Sequence, residues 1–177
     1  MTSSTAPHGF GPDHAFDGRP TLTRHAPPGF RLTTASRVIG HGDDDFRRAA
    51  DAVLRFEVHR GSGFLPEQVP ERARVGDVNV WAIPVGPLRS RVACRVFAVV
   101  DDERTAGFGH AALVGHPQRG WESYLVHQHH DGRVTLDIRV VWRPAAWFMR
   151  AAGPAARLAL GTVLHRNLRA LDPVLAA

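Results

Sequence analysis

The sequence has no lysine, one cysteine and one tyrosine among 177 residues, and no long apolar run. Each absence excludes something. A single thiol, Cys94, cannot close an internal disulfide, and a zinc site built from several cysteines is ruled out with it. No window approaches the ~18 continuous apolar residues of a membrane span. The N-terminus, MTSSTAPHGFGPDH, has neither the basic start nor the apolar stretch of a secretory signal. A cytoplasmic monomer is the expectation. The exclusive use of arginine, 22 residues in all, fits the codon bias of a GC-rich bacterial genome.

The charge is modest for a nucleic-acid binder, at +5 with a sequence pI near 11.0. The arginines are scattered, and only Arg47 and Arg48 are adjacent. From Asp131 onward Arg133, Arg139, Arg143, Arg150, Arg157, Arg166 and Arg169 face Asp131, Asp137 and Asp172 alone. No aromatic residues alternate with them as a base-stacking surface needs. No specific nucleic-acid partner is expected, and a solvated helix face accounts for the excess.

With 44% hydrophobic residues the chain can bury one real core. Residues 1–30 hold five prolines and no periodic pattern, and read as a disordered tail. Residues 31–177 read as a single domain. Arg31 to Ile39 predicts a strand anchored by Leu32 and Val38. Asp43-Asp44-Asp45 supplies an N-cap, and a helix follows from Phe46 to Arg60, stopped by Gly61. Its apolar face carries Phe46, Ala49, Ala50, Val53 and Phe56, with Glu57 on or beside it. Gly61–Asp77 reads as loop.

Beyond Asp77 the period becomes two. Asp77–Val85, Arg91–Asp101, Thr105–Val114, Trp121–His129 and Arg133–Arg143 are five strands joined by turn sequences too short for anything but antiparallel neighbours. Val92, Cys94, Val96, Ala98 and Val100 share one face, and Val134, Leu136, Ile138, Val140 and Trp142 another. Pro144 suits the first position of a helix, Gly153-Pro154 interrupts it, and Leu160, Leu164, Leu168 and Leu171 form a stripe ended by Asp172-Pro173. The order predicts an α+β fold: a curved antiparallel sheet of about six strands wrapped around a long C-terminal helix. This arrangement resembles the helix-grip fold of the START and Bet v 1-like superfamily, which implies a cavity between sheet and helix.

A more specific resemblance lies in Phe46, His59, Cys94-Arg95-Val96, Gly107-Phe108, Gly115-His116-Pro117, Gly120, Glu122, Arg143-Pro144 and Pro154. Over about Val38 to Leu171 these residues make the chain similar to uncharacterised protein family 0548, a domain-of-unknown-function family of bacteria and plants. The sequence departs from that family at His110, where an aromatic hydroxyl is frequent, and at Gln118 and Trp121, where acidic residues are. The family implies no activity.

Several residues invite chemistry. His127, His129 and His130 flank the Asp131-Gly132 hairpin tip. Two of them share a strand face about 7 Å apart, but no third or fourth metal ligand is evident, so exposed hairpin histidines are the reading. Cys94 sits on an apolar face and reads as a core thiol. His116 is a general base beside Glu122 or, preferably, a turn residue bonding local backbone. The hairpin leaves two registers open. A two-residue loop pairs Leu125 with Ile138; a three-residue loop with Gly132 in a bulge pairs Tyr124 with Ile138 and turns Glu122 and Tyr124 inward. Arg157 lies on the core-side stripe and either snorkels to the rim or anchors an anion, with Glu57 and Glu122 its candidate partners.

The expected ligand-binding set is Cys94, Phe108, His110, Glu122, Tyr124, Trp142 and Arg157, around a void lined by Phe108, Trp142 and the first turns of the terminal helix. The leading function is binding of a small apolar molecule, with an anionic group where Arg157 points inward. The alternatives are an enzyme of the same fold doing acid–base chemistry on an apolar or cyclic substrate, and a basic interaction module. No cofactor or metal pattern is present, and catalytic residues and oligomeric state are unassigned.

Overall fold

The computed structural model describes residues 26–85, 88–145 and 153–176, with side chains at 26–84, 89–145 and 160–176. The elements are β1 (Arg31–His41), α1 (Gly42–Leu54), α2 (Glu57–Gly61), β2 (Leu65–Gln68), β3 (Val78–Val85), β4 (Leu88–Asp101), β5 (Thr105–Ala112), β6 (Gln118–Gln128), β7 (Arg133–Pro144), α3 (Gly153–Arg169) and α4 (Asp172–Ala176). The strands form one antiparallel sheet in the order β1-β7-β6-β5-β4-β3-β2. The chain thus lays β1 at one edge, crosses through α1 and α2 to the other edge, and returns strand by strand until β7 pairs with β1. The expected curved antiparallel sheet with a C-terminal helix is borne out. It has seven strands rather than six, because Leu65–Gln68, inside the segment expected as loop, pairs with β3.

The first helical stretch is two helices. Phe56 between them takes φ +62°, a left-handed conformation unfavourable to a bulky residue. Its ring is fully buried and packs 4.8 Å from Phe108. Burial of a phenylalanine contributes about 2–3 kcal/mol and offsets the strain. The corner breaks the helical phase after Leu54. Glu57, expected on or beside the apolar face, therefore lies half-buried and pairs with Arg60 at 3.4 Å instead of pointing inward. The helix start is also corrected. Asp43–Asp45 do not cap by preceding the helix; His41 is the N-cap residue, and Asp45 reaches back to accept its backbone N–H at 2.8 Å.

The core lies on the concave face. α1 buries Phe46, Ala49, Ala50, Val53 and Leu54 against β5 and β6. α3 packs against α2, β1 and β7 through Leu160 and Leu164. The terminal helix is thus not the only cover; the two short helices share the layer with it. Val134, Leu136, Ile138, Val140 and Trp142 all enter the core as expected. The β4 face does not run through to Val100. An irregularity between Val96 and Ala98 shifts the register, so Val99, opposite Phe108, takes the inward place. Val38, expected as an anchor of β1, is 49% exposed, since it stands opposite Thr135 on the face away from Leu136 and Ile138. Pro144 ends β7 rather than opening a helix; the terminal helix ends at Arg169, ahead of Asp172-Pro173 as expected, and that pair starts the further short helix α4. Residues 146–152, expected to begin the terminal helix, lie outside the described residues, and so does most of the expected tail. At its end, Phe30 packs 5.7 Å from Trp121 on the convex face with the Arg143 guanidinium 4.7 Å above its ring. Among the described residues no helix is long and apolar enough to cross a membrane.

Gly120 holds the start of β6 close against β7. Its φ is +139°, and a Cβ there would stand 1.8 Å from the Val141 carbonyl oxygen. Gly120→Ala is expected to lower stability by about 3 kcal/mol, roughly 6–12 °C in Tm. A melting scan checks this.

Candidate functional site

The hairpin between β6 and β7 decides which side chains look inward. Gly132 takes φ +83°. The His129 N–H bonds the Arg133 carbonyl at 2.8 Å, and the Gly132 N–H bonds the His129 carbonyl at 3.0 Å. This is the three-residue loop, and Tyr124 pairs with Ile138. Glu122 and Tyr124 consequently face the concave side. Neighbouring registers bring Val96 opposite His110, His110 opposite Glu122, and Glu122 opposite Val140. A polar pair is thereby set in the middle of an otherwise apolar row.

Tyr124 Oη donates to Glu122 Oε2 at 2.5 Å, a charge-assisted bond. His110 Nε2 stands 3.8 Å from the same oxygen. Asn167 Nδ2, from α3, donates to Tyr124 Oη at 3.5 Å. Ser62 Oγ, just after α2, lies 2.5 Å from Asn167 Oδ1 and 2.6 Å from the Val58 carbonyl oxygen. A polar spine therefore runs from α2 through α3 to β6 and ends on the Glu122 carboxylate.

His59 of α2 closes the cluster from the helical side. Its ring stacks on Trp81 at 5.1 Å and 16° and meets Tyr124 at 4.8 Å and His110 at 5.3 Å. The Nδ1 atoms of His59 and His110 are both buried with no hydrogen-bond partner among the described residues. Buried orphan groups of this kind are costly, and two adjacent ones mark a place built for something other than packing.

The electrostatics follow from these contacts. Burial would raise the Glu122 carboxyl, but His110, 3.8 Å away, and the Tyr124 hydroxyl outweigh it and hold the group down to about 2. Burial pushes His59 down to about 3, with the charge of His110 adding to it. Burial, and then Glu122, push the Tyr124 hydroxyl and the Cys94 thiol well above their usual values. Cys94 is a buried thiol and no nucleophile. His116 is lowered by burial and accepts the Gln118 N–H at 3.0 Å through Nδ1, the turn geometry preferred from the sequence.

Above Glu122 a cleft opens at the end of the concave face, lined among others by Cys94, His110, Ala112, Gly120, Trp121, Glu122 and Trp142. Its volume is about 10 Å³, room for one water. Of the expected ligand-binding set, Cys94, His110, Glu122 and Trp142 line this cleft, and Tyr124 lies beneath it. Phe108 does not line it. Its ring is fully buried against Phe56 and His59, while the side chains of the terminal helix's first turns, the other expected wall of the void, lie outside the described residues. The side chain of Arg157 lies outside the described residues. His127 and His129 meet at 4.7 Å near the hairpin, bonded to Thr105 and Thr135, and among the described residues no cluster of His, Cys, Asp and Glu could hold a metal ion.

His59, Ser62 and Asn167 were not in the expected set. His59 had a signal: it continues the Phe46, Val53, Phe56 series by one more helical step. Ser62 and Asn167 had none, being brought together across 105 positions.

A family model described as a domain of unknown function, DUF1990, matches residues 18–170. The chain belongs to this DUF1990 family. The expected domain-of-unknown-function membership is thus borne out, while the number 0548 is untested. No curated protein matches the chain. Among solved structures, a Thalictrum flavum norcoclaurine synthase point mutant in complex with a transition-state analogue is 12% identical, covering 81% of this chain and 95% of that one, with a TM-score of 0.53. Major latex-like protein 151 from Panax ginseng is 13% identical over 82% of this chain and 97% of that one, also at 0.53. At such identities the likeness shows the fold alone, and that fold is Bet v 1-like, as the resemblance implied.

The two depressed values carry the same pH sign. His59 is neutral in the folded DUF1990 domain, and the unfolded chain takes up its proton below about 6.5. Glu122 stays ionised in the fold while the unfolded chain protonates it below about 4.5. Stability is therefore fully present above pH 6.5 and falls as acid is added, through about 3 for His59 and about 2 for Glu122. The slope from one such proton is about 1.4 kcal/mol per pH unit. Denaturant melts from pH 7 to 4.5 should show it, and His59→Phe should flatten that window.

Proposed function

We propose that this domain binds a small, largely apolar molecule at the open end of its concave face, between β4, β5, β6 and β7. One observation carries the reading: an ionised carboxylate, Glu122, is set among apolar residues at the floor of a cleft and held there by Tyr124 and His110. A charge in such a place opposes stability, and the sheet would pack as well with an apolar residue there. A polar group on a ligand gives it a purpose. The norcoclaurine synthase neighbour, which shares the fold, was solved with a bound transition-state analogue. The cleft holds one water, so binding requires its walls to part.

A second reading, acid–base catalysis on the bound molecule, is favoured by the convergence of His110, Glu122 and Tyr124 within one cluster. A basic interaction module has less support. Arg37, Arg47, Arg48, Arg55, Arg60, Arg72, Arg91 and Arg133 each face a carboxylate, and such pairing leaves no basic strip along them.

Native mass spectrometry of the protein from its own host should reveal a small-molecule adduct that Glu122→Gln loses. The absence of any adduct, together with an NMR fragment screen that leaves the Gly120 and Trp121 amides unmoved, would overturn the binding reading. Turnover of the recovered molecule by the wild-type protein would establish the second.

A further inference from the structure

We infer that the ligand presents a protonated nitrogen to Glu122: the cleft is built for a small organic cation with an aromatic or aliphatic body. The inference rests on the binding reading above and names its ligand class.

Three independent features of the cleft agree. The first is the carboxylate. Tyr124 and His110 both address Oε2 of Glu122, and Oε1 takes no hydrogen bond among the described residues. The Glu122 side chain is 27% exposed, whereas His110 beside it is 4% exposed. The polar surface that the floor turns to an incoming molecule is therefore the carboxylate rather than the imidazole. The second is the aromatic wall. Trp142 lines the same cleft as Glu122 and sits on the same face of the sheet, opposite Gly120. It is fixed by its indole N–H, which donates to Thr33 Oγ1 at 3.2 Å. A carboxylate and an indole ring around one small space form an environment that favours an ammonium group, through charge and through the ring quadrupole together. The third is the placing of the other charges. Arg119 is also among the residues at the cleft, but the β6 register sets it on the opposite face of the strand from Glu122, facing Arg143 across the ladder. His116 is used by its own turn, with Nδ1 accepting from Gln118. The remaining lining, Cys94, Ala112, Gln118, Gly120 and Val141, carries no charge, which suits the uncharged part of the molecule.

His110 competes for Glu122. At 3.8 Å it is beyond hydrogen-bond reach, and its approach is from within the sheet, leaving the cleft side of the carboxylate open. An anionic ligand would meet the Glu122 carboxylate at close range, and the one arginine at the cleft, Arg119, starts from the other face of β6.

Three probes of one shape test the inference: benzylamine, benzyl alcohol and benzoate, titrated at pH 7 into the full chain and followed by the Gly120 and Trp121 amides and the Trp142 indole N–H in NMR spectra. Benzylamine should bind about tenfold more tightly than benzyl alcohol, and benzoate should not bind. Glu122→Gln, which keeps an acceptor for Tyr124, should bring amine and alcohol to equal affinity. The amine-to-alcohol comparison on the wild-type protein stands even where that variant fails to fold. Equal binding of amine and alcohol would overturn the cation while leaving a ligand site. Tighter binding of benzoate, lost in Arg157→Leu, would replace the cation with an anion. Silence from all three probes would overturn the cation, and the binding reading would then fall or stand on the adduct and fragment screen above.

Discussion

The pairing of Tyr124 with Ile138 is the constraint on which the site depends. Side chains alternate across a sheet with period two, so a shift of one residue sends every member of a strand to the other face. With the three-residue loop at Asp131 and Gly132, β6 turns Gly120, Glu122, Tyr124 and Val126 to the concave side. The two-residue loop would have buried Trp121, Ser123 and Leu125 there and left the carboxylate in water. The polar cluster, the depressed Glu122 and the cleft above it are consequences of a single backbone geometry at Gly132.

The helical layer answers that register. Phe56 accepts a left-handed backbone so that its ring reaches Phe108, and the corner it makes swings α2 until His59 lies over Trp81, Tyr124 and His110. Asn167 on α3 and Ser62 after α2 then complete the path to the Tyr124 hydroxyl. Tyr124 is the junction of the molecule: its ring belongs to the core, and its oxygen joins both helices to the carboxylate that faces the cleft. The charged group is addressed by Tyr124 of its own strand and by His110 of β5, and Asn167 of α3 reaches it only through Tyr124.

Among the described residues, Phe56 and His59 from the α1–α2 corner pack on Phe108, Trp81 and Tyr124, and a small cleft opens at the end of the sheet near Gly120 and Trp142. At the mouth of that cleft one carboxylate and the Trp142 indole interrupt the general apolarity of the interior.

The sequence by itself determined the strands, their antiparallel order and the stripe of the terminal helix, because alternation, turn residues and helical spacing are local. The inward run from Val134 to Trp142 was legible for that reason, as was the buried character of Cys94. It could offer Glu122 and Tyr124 only as one of two alternatives, since both hairpin loops suit Asp131-Gly132. The tertiary structure decided the rest. The corner at Phe56 is stable only because Phe108 is there to receive the ring, and propensity alone reads the stretch as one helix. β2 pairs only because β3 lies beside it. Ser62, Asn167 and Tyr124 meet because sheet curvature and helix packing bring together residues that no local period connects. Hydrogen bonds across such separations are consequences of the closed fold, and nothing in the spacing of the chain encodes them.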